Sequence, residues 1–438
     1  MTTEHGRAKA PPSQNYAQML EELQEKTFGY FRREYNPDTG LIADKTAADS
    51  PGSIAATGFG LTCYLVGVEN GWMDREEAVQ RTLQALRFFW NSEQSDNPKA
   101  SGYKGFYYHF LDMKSGERVW NSELSTVDTA YLLIGALAAA EYFDRDSEEE
   151  QEIRDLADRL YRRVDWRWAL DGGATLSHGW RPKEGFIPFC WEGYDESLLL
   201  YILALGSSTH ALKPGCYEAS VAHYSWRDVY GYEYIYGGPL FVHQYPHIWL
   251  DLRNIQDDFT REKGVDYFKN SRRATFVHQE YAIRNPKEYK GYGEFFWGIT
   301  ASDGPGPYTG RVNQIDRVFH GYLARGAPFG PDDGTVAPWA VVSSLPFAPE
   351  IVLPTIRHFN QMDLQAPNPY GYKATINREF PDGEHEYGWI SHYHYGINQG
   401  PVVLMIANYQ GEFLWELMRG CEPVRIGLRR AGFKGGWL

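Results

Sequence analysis

Apolar side chains recur at helical spacing along most of this chain. Some of these runs are apolar on nearly every side, as at 54–68 and 127–143, and predict helices that are buried all round. Others carry one apolar stripe between charged faces, as at 79–90 and 153–164, and predict half-buried helices. The two kinds alternate in sequence, which is the pattern expected of an inner and an outer layer.

Further runs bring the total to roughly ten to twelve predicted helices. The first begins near residue 16, and the later ones cover 198–205, 248–259, 261–281, 336–344, 350–359 and 402–418. No Gly/Ser-rich linker or long charge run divides the chain, so we expect one domain over 15–438 behind a disordered segment, 1–14. The fold predicted from the pattern is all-α, a closed double ring of helix pairs.

Four connecting segments are too long to be simple turns, and loops of such length usually carry function. They cover 91–122, 171–195, 284–334 and 365–398. We expect these long loops to gather at one end of the helical ring, where the active site would lie. Short strands are expected inside them, at 105–111 and 174–178.

The composition limits the classes of molecule that the protein is expected to bind. The 438 residues carry a net charge of −14 and 16% aromatic side chains. Because phosphate recognition depends on Lys and Arg, this charge argues against nucleic acid. Aromatic rings with a polar edge suit stacking on sugars. A neutral glucan or gluco-oligosaccharide therefore fits better as the partner.

The remaining composition gives no sign of a metal, a cofactor or a membrane. The four cysteines show no metal-ligand spacing; they are Cys63, Cys190, Cys216 and Cys421. No apolar run of about eighteen residues occurs, and the first twelve residues lack a signal peptide. The chain as written is expected in the cytoplasm, or in the periplasm if a leader was removed. We expect a monomer.

The most informative segment is 191–196, with the sequence Trp-Glu-Gly-Tyr-Asp-Glu directly before the apolar run 198–205. Its carboxylates, Glu192, Asp195 and Glu196, lie close in sequence to two aromatic residues, Trp191 and Tyr194. Crowded acids near apolar rings have raised pKa values, so one of them could donate a proton at neutral pH, as glycoside hydrolysis requires. The alternative is that Asp195 and Glu196 only cap the helix or complement its dipole.

Segments along nearly the whole chain, from about residue 20 to about 418, together resemble one known family. They are Thr-Gly-Leu-Ile-Ala-Asp at 39–44, 53–61, 71–78, Gly-Phe-Tyr-Tyr-His-Phe at 105–110, Glu-Leu-Ser-Thr-Val-Asp-Thr-Ala at 123–130, 191–196 with Leu-Gly-Ser at 205–207, Ile-Thr-Ala-Ser-Asp-Gly-Pro at 299–305, Asn-Gln-Gly-Pro at 398–401 and Asn-Tyr at 408–409. The order and sequence of these segments resemble the glycoamylase-like proteins, which include glycoside hydrolase family 144.

This resemblance implies an (α/α)6 barrel that hydrolyses β-1,2-glucan with inversion of the anomeric centre, without a metal or other cofactor. Members of the family act either within the glucan or by releasing disaccharides from one end. The family usually has Asn where this chain has Asp195. Glu196 is therefore the better match for a catalytic residue.

An inverting hydrolase needs an acid and a base whose carboxyl groups lie about 6.5 to 9.5 Å apart. We predict Glu196 as the acid, although a helix N-terminus would favour its ionised form and make it a base or a sugar ligand instead. Asp128, at the head of an apolar helix, is the leading partner, with first-turn capping as the alternative. The identity of the base stays open.

Other residues are predicted to bind sugar. They are Glu192, Asp195, Glu123, Trp191, Tyr194, Asp303, Tyr308, Glu294 and His243. Simple alternatives remain for several of them: a surface charge for Glu123, an Asp-Gly turn for Asp303 and a structural histidine for His243. Trp120, in a long loop, is a further possible stacking platform.

Two rival functions remain after this reasoning. A related barrel enzyme could hydrolyse or transglycosylate a different glucan, and a retaining mechanism would need the carboxyls only about 5 to 5.5 Å apart. Alternatively, the chain could be a non-catalytic carbohydrate-binding protein that keeps the aromatic groove.

Overall fold

The computed structural model describes residues 16–362, 364, 369–380 and 386–438, so the predicted disordered segment 1–14 lies outside the described residues. Helices dominate this part of the chain. They are α1 (Tyr16–Arg33), α2 (Ile54–Glu69), α3 (Arg75–Asn91), α4 (Thr126–Tyr142), α5 (Glu148–Arg163), α6 (Leu198–Gly206), α7 (Pro214–Val221), α8 (Tyr245–Trp249), α9 (Asp258–Lys263), α10 (Tyr267–Arg284), α11 (Pro338–Ser343), α12 (Pro349–Gln361), α13 (Gly396–Gly411), α14 (Phe413–Arg419) and α15 (Glu422–Arg430). Two 3-10 turns cover Trp168–Leu170 and Leu240–His243.

The strands are short and lie in the long connecting segments. They are β1 (Gly52–Ser53), β2 (Gly102–Tyr103), β3 (Phe106–Tyr108), β4 (Phe110–Leu111), β5 (Leu124–Ser125), β6 (Gly179–Arg181), β7 (Gly185–Phe186), β8 (Trp226–Val229), β9 (Tyr232–Ile235), β10 (Ala301–Ser302), β11 (Tyr308–Val312), β12 (Ile315–Phe319), β13 (Leu323–Ala324), β14 (Thr335–Val336), β15 (Ile376–Asn377) and β16 (Trp389–Ile390). The widest sheet has the order β2-β3-β5-β6-β7, and its neighbouring strands are antiparallel. The predicted mostly helical fold with small hairpins is confirmed.

The helices form two layers, as the alternating pattern predicts. Helices α2, α4, α6, α11 and α13 are buried on nearly every side. Among these inner helices, α2 packs against α4 and α13, α4 packs against α6, and α11 packs against α13. Amphipathic helices cover them: α1 lies on α13, α5 on α4, α12 on α11 and α15 on α6. No helix in the described part of the chain is both long and apolar enough to cross a membrane.

Three predicted helices are wrong in their extent. The predicted helix 248–259 is interrupted, because α8 ends at Trp249 and Asp257 caps a new helix by accepting from the Thr260 N–H. The predicted helix 261–281 is divided where Gly264 adopts a left-handed conformation. The predicted helix 402–418 is divided at Glu412, which also has a positive φ.

Further differences concern elements that the periodicity misses. Helices α7 and α15 were not predicted; α7 is short, and α15 follows directly after α14. The strand predicted at 174–178 begins later, at Gly179, whose backbone pairs with Ser125. The strand predicted at 105–111 is present as β3 and β4, with one residue between them.

Glycine sets the distance between α2 and α4. A Cβ on Gly58 would lie 2.1 Å from the carbonyl oxygen of Tyr131, and a Cβ on Gly135 would lie 2.1 Å from the carbonyl oxygen of Gly58. Because backbone atoms cannot move aside as a flexible side chain can, a larger residue would push the two helices apart. The two inner helices therefore need glycine at both positions.

We expect Gly58→Ala to lower the free energy of unfolding by about 3 kcal/mol, because its methyl group would overlap the backbone of α4. Urea denaturation followed by circular dichroism measures this loss. Gly411→Ala is the matched control, since no atom lies within 4 Å of the added Cβ. It should leave stability unchanged or raise it by up to about 1 kcal/mol. Equal effects of the two substitutions would contradict the close-packing argument.

Candidate active site

A cavity of about 430 Å³ lies where the first turns of the inner helices meet. Residues in the first two turns of these helices, or shortly before them, line it: Ala55 and Phe59 of α2, Asp128 and Tyr131 of α4, Glu196 before α6, Phe241 before α8, Tyr245 at the start of α8, and Ile397 and Asn398 of α13. The long loops supply the rest of the wall: Asp44, Lys45, His109, Phe110, Trp120, Ala301, Tyr322 and Tyr395. Glu196 and Asp128, the two predicted catalytic residues, therefore share one cavity.

Glu196 lies two residues before α6 and is half-buried at the cavity wall. Burial raises the pKa of its carboxyl well above the ordinary value, and the charges of Asp195 and Asp128 raise it further, while His109 acts in the opposite direction. The surroundings of the carboxyl therefore favour its protonated form. A protonated carboxyl that faces a cavity can act as a general acid.

Asp128 has different surroundings, although it lies in the same cavity. It is the third residue of α4, whose N-cap Ser125 accepts a hydrogen bond from the Asp128 N–H at 3.2 Å. The Ser125 hydroxyl also donates to Asp128 Oδ2. A helix N-terminus and a hydroxyl donor both stabilise a negative charge. Asp128 therefore lies where the helix N-terminus and the Ser125 hydroxyl favour a negative charge.

His109 connects Asp128 with another predicted site residue, Glu123. Its Nδ1 lies 2.8 Å from Glu123 Oε1 and 3.6 Å from Asp128 Oδ2. Burial lowers the pKa of His109, but the two carboxylates outweigh it and raise the pKa to about 9. For Glu123, burial alone would raise the pKa of the carboxyl. The contact with His109 outweighs this effect and lowers the pKa to about 2. The ring is therefore an imidazolium between two carboxylates at neutral pH.

A third carboxyl, Asp44, was not predicted as a site residue. It is buried at the cavity wall, and burial raises its pKa to about 6, with Lys45 and His109 lowering it and Asp128 raising it. The Lys45 ammonium lies 5.4 Å from the ring centre of Tyr395, which also lines the cavity. Asp44 thus exchanges protons close to physiological pH.

His109, Glu123 and Asp128 could also hold a metal ion, because one ligand atom from each lies within 4.8 Å of the others. A histidine ligand must give up the proton from its coordinating nitrogen. Here the pKa of about 9 favours the imidazolium at neutral pH. We therefore interpret these three side chains as an ionic cluster, in which the proton on His109 occupies the nitrogen that a metal ion would need.

Two exposed aromatic residues line the cavity from different loops. Trp120 is 63% exposed and packs against Phe110, and Tyr322 is 64% exposed. Large rings left open to solvent beside acids are suited to stacking on sugar rings. Trp120 was predicted as a stacking platform, whereas Tyr322 was not.

A buried ion pair fixes the loop that carries Tyr322. The Arg325 guanidinium donates to both carboxylate oxygens of Asp333, at 2.7 and 2.8 Å, and both side chains are buried. Arg325 also donates to the carbonyl oxygens of His320 and Gly321, next to Tyr322. The position of Tyr322 therefore depends on a charge pair that has almost no contact with solvent.

We expect Arg325→Met to lower the free energy of unfolding by about 3 to 5 kcal/mol, because Asp333 would remain as an unpaired buried charge. Chemical denaturation measures the loss. Arg87→Met removes an exposed ion pair with Glu152, in which the side chains are 45% and 40% exposed, and should cost about 0 to 1 kcal/mol. A similar small cost for Arg325→Met would contradict the structural role of the pair.

The predicted site residues next to Glu196 in sequence are not among the residues that line the cavity. Asp195 accepts a hydrogen bond from the Ser197 N–H at 2.9 Å, and burial raises its pKa to about 6. Glu192 is exposed and accepts from Thr175 at 2.8 Å. Trp191 and Tyr194 are buried; Trp191 stacks on a histidine ring, and Tyr194 stacks on another tyrosine.

The other predicted sugar-binding residues also lie outside the cavity lining. Asp303 accepts a hydrogen bond from the Ser391 hydroxyl at 2.8 Å and another from Tyr395. It therefore contacts a residue of the cavity wall without lining the cavity itself. Tyr308 on β11 and Glu294 are exposed. His243 is fully buried, and its Nε2 lies 3.1 Å from the Gly237 carbonyl oxygen. Their roles in binding stay predictions.

Sequence reasoning missed Asp44, His109 and Tyr322. Asp44 and His109 lie within two of the segments that resemble the family, 39–44 and 105–110. That resemblance is the sequence feature that could have identified them as site residues. Tyr322 lies in a long loop without a recognisable pattern. None of the three is near Glu196 in sequence, so only the fold brings them together.

His243 belongs to a group of buried histidines with His247 and His278. Burial lowers their pKa values to about 4, 3 and 3. In the unfolded chain a histidine has a pKa of about 6.5, so below that pH the unfolded state binds protons that the folded state does not. Their contribution to stability is complete above about pH 6.5 and is lost as the pH falls toward 4.

We therefore expect the free energy of unfolding to fall between pH 6 and pH 5, with each histidine contributing about 1.4 kcal/mol per pH unit. Urea denaturation at a series of pH values measures this slope. In a folded His278→Leu variant the slope should be smaller by about that amount, and an unchanged slope would show that His278 is not buried as a neutral ring.

Comparisons with known proteins agree with this fold and cavity. The profile of the glycoamylase family, described as "Putative glucoamylase", matches residues 188–422. An exo β-1,2-glucooligosaccharide sophorohydrolase (non-reducing end) from Parabacteroides distasonis is 27% identical over 451 aligned residues, which cover 94% of this chain and 57% of the relative. The chain therefore spans little more than half the length of that relative.

Solved structures give a closer match in length. A "putative glucoamylase" from Bacteroides uniformis has a TM-score of 0.85 at 29% identity, covering 98% of this chain and all of the other. An endo-β-1,2-glucanase from Chitinophaga pinensis, solved with sophorotriose and glucose, has a TM-score of 0.84 at 26% identity, covering 97% of this chain and all of the other.

Two layers of helices whose first turns surround an acid-lined cavity with aromatic residues at its wall define a glycoamylase-like protein. The chain belongs to the glycoamylase family, whose profile matches more than half of it. The family predicted from the sequence is thus confirmed.

Proposed function

We propose that this protein is a glycoside hydrolase that cleaves β-1,2-glucan, including sophoro-oligosaccharides, by an inverting mechanism with two carboxylates. The observation that carries the proposal is the contrast between Glu196 and Asp128 in one cavity: burial raises the pKa of the first, and a helix N-terminus and a hydroxyl donor contact the second. The names of the sophorohydrolase and the endo-β-1,2-glucanase support the linkage. These names are consistent with glycoside hydrolase family 144.

In this proposal Glu196 donates its proton to the oxygen of the scissile glycosidic bond as the bond to the anomeric carbon breaks. Asp128 accepts a proton from a water molecule, whose oxygen attacks the anomeric carbon from the opposite face. The products are a sugar with inverted configuration and a free hydroxyl on the leaving sugar. Glu196 ends ionised and Asp128 protonated, and exchange with solvent restores both.

The fold proposed for this catalytic unit is a closed (α/α)6 barrel in one domain, active as a monomer. Its inner ring would consist of α2, α4, α6, α8, α11 and α13. The packing of α13 on α2, α2 on α4 and α4 on α6 supports this ring. The contacts of α11 and α8 with α13 support its other side. The first turns of the inner helices would then form the cavity floor.

We expect Glu196→Gln and Asp128→Asn each to lower kcat on linear β-1,2-glucan by about 10² to 10⁴-fold, the usual contribution of a general acid or base. Reducing-end release measures kcat, and polarimetry of the fresh products reports the inverted anomer. Glu152→Gln, on the outer face of α5, is the matched control and should keep wild-type activity. Wild-type kcat/KM should fall as the pH rises through the pKa of Glu196, because the acid must be protonated.

Each rival function has a distinct result. Hydrolysis of another glucan with none of the β-1,2-linked polymer would contradict the linkage, and a retained anomer would contradict the mechanism. Calorimetry that detects tight binding of sophoro-oligosaccharides, with no turnover and no change in Glu196→Gln, would indicate a carbohydrate-binding protein.

A further inference from the structure

His109 is held firmly in place, although the proposed mechanism assigns it no step. Its backbone N–H donates to the Glu123 carbonyl oxygen at 3.0 Å, and its own carbonyl accepts from the N–H of Ile54, the first residue of α2, at 3.3 Å. Its ring stacks on Phe110, with 4.0 Å between ring centres and an interplanar angle of 12°. Backbone and ring contacts thus fix the imidazole before any ionic contact is considered.

Carboxyl groups face this ring from several elements. Glu123 precedes β5, Asp128 belongs to α4, Asp44 precedes β1 and Glu196 precedes α6; all four interact with the His109 charge. In the described part of the chain, Lys45 is the lysine that lines the same cavity. His109 Nδ1 contacts Glu123 at 2.8 Å and Asp128 at 3.6 Å. Its charge therefore acts most directly on these two carboxylates.

Asp128 and Glu196 form a coupled pair, because each negative charge makes ionisation of the other less favourable. A pair of this kind can hold one proton in two ways, and catalysis needs the proton on Glu196. A cation at 3.6 Å from Asp128 favours the arrangement in which Asp128 is the ionised member. Without that cation, both arrangements would be closer in free energy.

We propose that His109, held as an imidazolium by Glu123, is a positioning residue that keeps Asp128 ionised and thereby leaves the shared proton on Glu196. This inference rests on the proposed function, because it presupposes Asp128 as the base. Glu123 then has a role different from the sugar binding predicted for it: it fixes Nδ1 and the charge of the ring. In this proposal His109 determines which carboxyl is the acid and which is the base, although it takes no part in the proton transfers itself.

The test is the pH dependence of kcat/KM on linear β-1,2-glucan for the wild-type protein, His109→Gln and Glu123→Gln. In His109→Gln the acidic limb, which reports the base, should move to higher pH by about 1 to 3 units, because an opposite charge has been removed beside Asp128. Glu123→Gln should move the limb little, because the His109 ring stays protonated at acidic pH without Glu123. His109→Lys, which retains a positive charge, should restore the limb toward its wild-type position.

A purely structural role would lower kcat without moving the limb, so a folded His109→Gln protein with an unshifted acidic limb would overturn the proposal. An NMR titration of the wild-type protein, with ¹³C-labelled histidine rings, keeps the test decisive if that variant does not fold. The His109 resonance, assigned by its loss in the His109→Lys spectrum, should remain that of an imidazolium at pH 7. A neutral ring at pH 7 would also overturn the proposal.

Failure of the proposed function gives a different result. If Glu196→Gln and Asp128→Asn both keep wild-type hydrolysis, the acid and base are wrongly assigned, whatever the His109 titration shows. If both variants lose activity while the acidic limb of His109→Gln stays in place, the function stands and only the role of His109 is rejected.

Discussion

The first turns of the inner helices meet around one cavity, and most features of the site follow from this constraint. A helix N-terminus carries unpaired N–H groups and a partial positive charge, which favour carboxylates. Burial has the opposite effect, because it penalises the charged form. Each acid at the cavity is therefore placed between two opposing influences, and small differences in hydrogen bonding decide its protonation.

The acids of the site illustrate this balance. Asp128 lies inside the first turn of α4 and receives a hydrogen bond from Ser125, whereas Glu196 precedes α6 and has a pKa raised mainly by burial. Asp44 has a lysine and a histidine nearby, yet burial still raises its pKa to about 6. The same chemical group thus has different electrostatic surroundings within one cavity, as an acid–base mechanism requires.

Local pattern was sufficient where an element depends on its own sequence. The wholly apolar runs 54–68 and 127–143 correspond closely to α2 (Ile54–Glu69) and α4 (Thr126–Tyr142). The predicted helix 248–259 was wrong because Asp251 forms ion pairs with Arg253 and with Arg419, which is distant in sequence. Such tertiary contacts fix a loop where the apolar pattern favours a helix.

The same distinction applies to the site. Glu196 and Asp128 could be predicted because each adjoins the start of a strongly apolar helix, where a charged residue is unusual. His109 lies between β3 and β4, Asp44 lies in the loop before β1, and their importance comes from charges contributed by other elements. A sequence shows which residues begin a helix, but it does not show which helix starts face one another.

The contacts of Trp191 indicate how Glu196 and Asp128 are kept in fixed positions relative to each other. Its indole N–H donates to the Thr126 hydroxyl at 2.9 Å, and its carbonyl oxygen accepts from the Tyr201 hydroxyl at 2.8 Å. Thr126 begins α4, two residues before Asp128, and Tyr201 belongs to α6, just after Glu196. Trp191 therefore links the start of α4, where Asp128 lies, with α6, which begins two residues after Glu196. An aromatic residue predicted to bind sugar has, in the folded chain, a position from which it can set the distance between the two carboxyl groups.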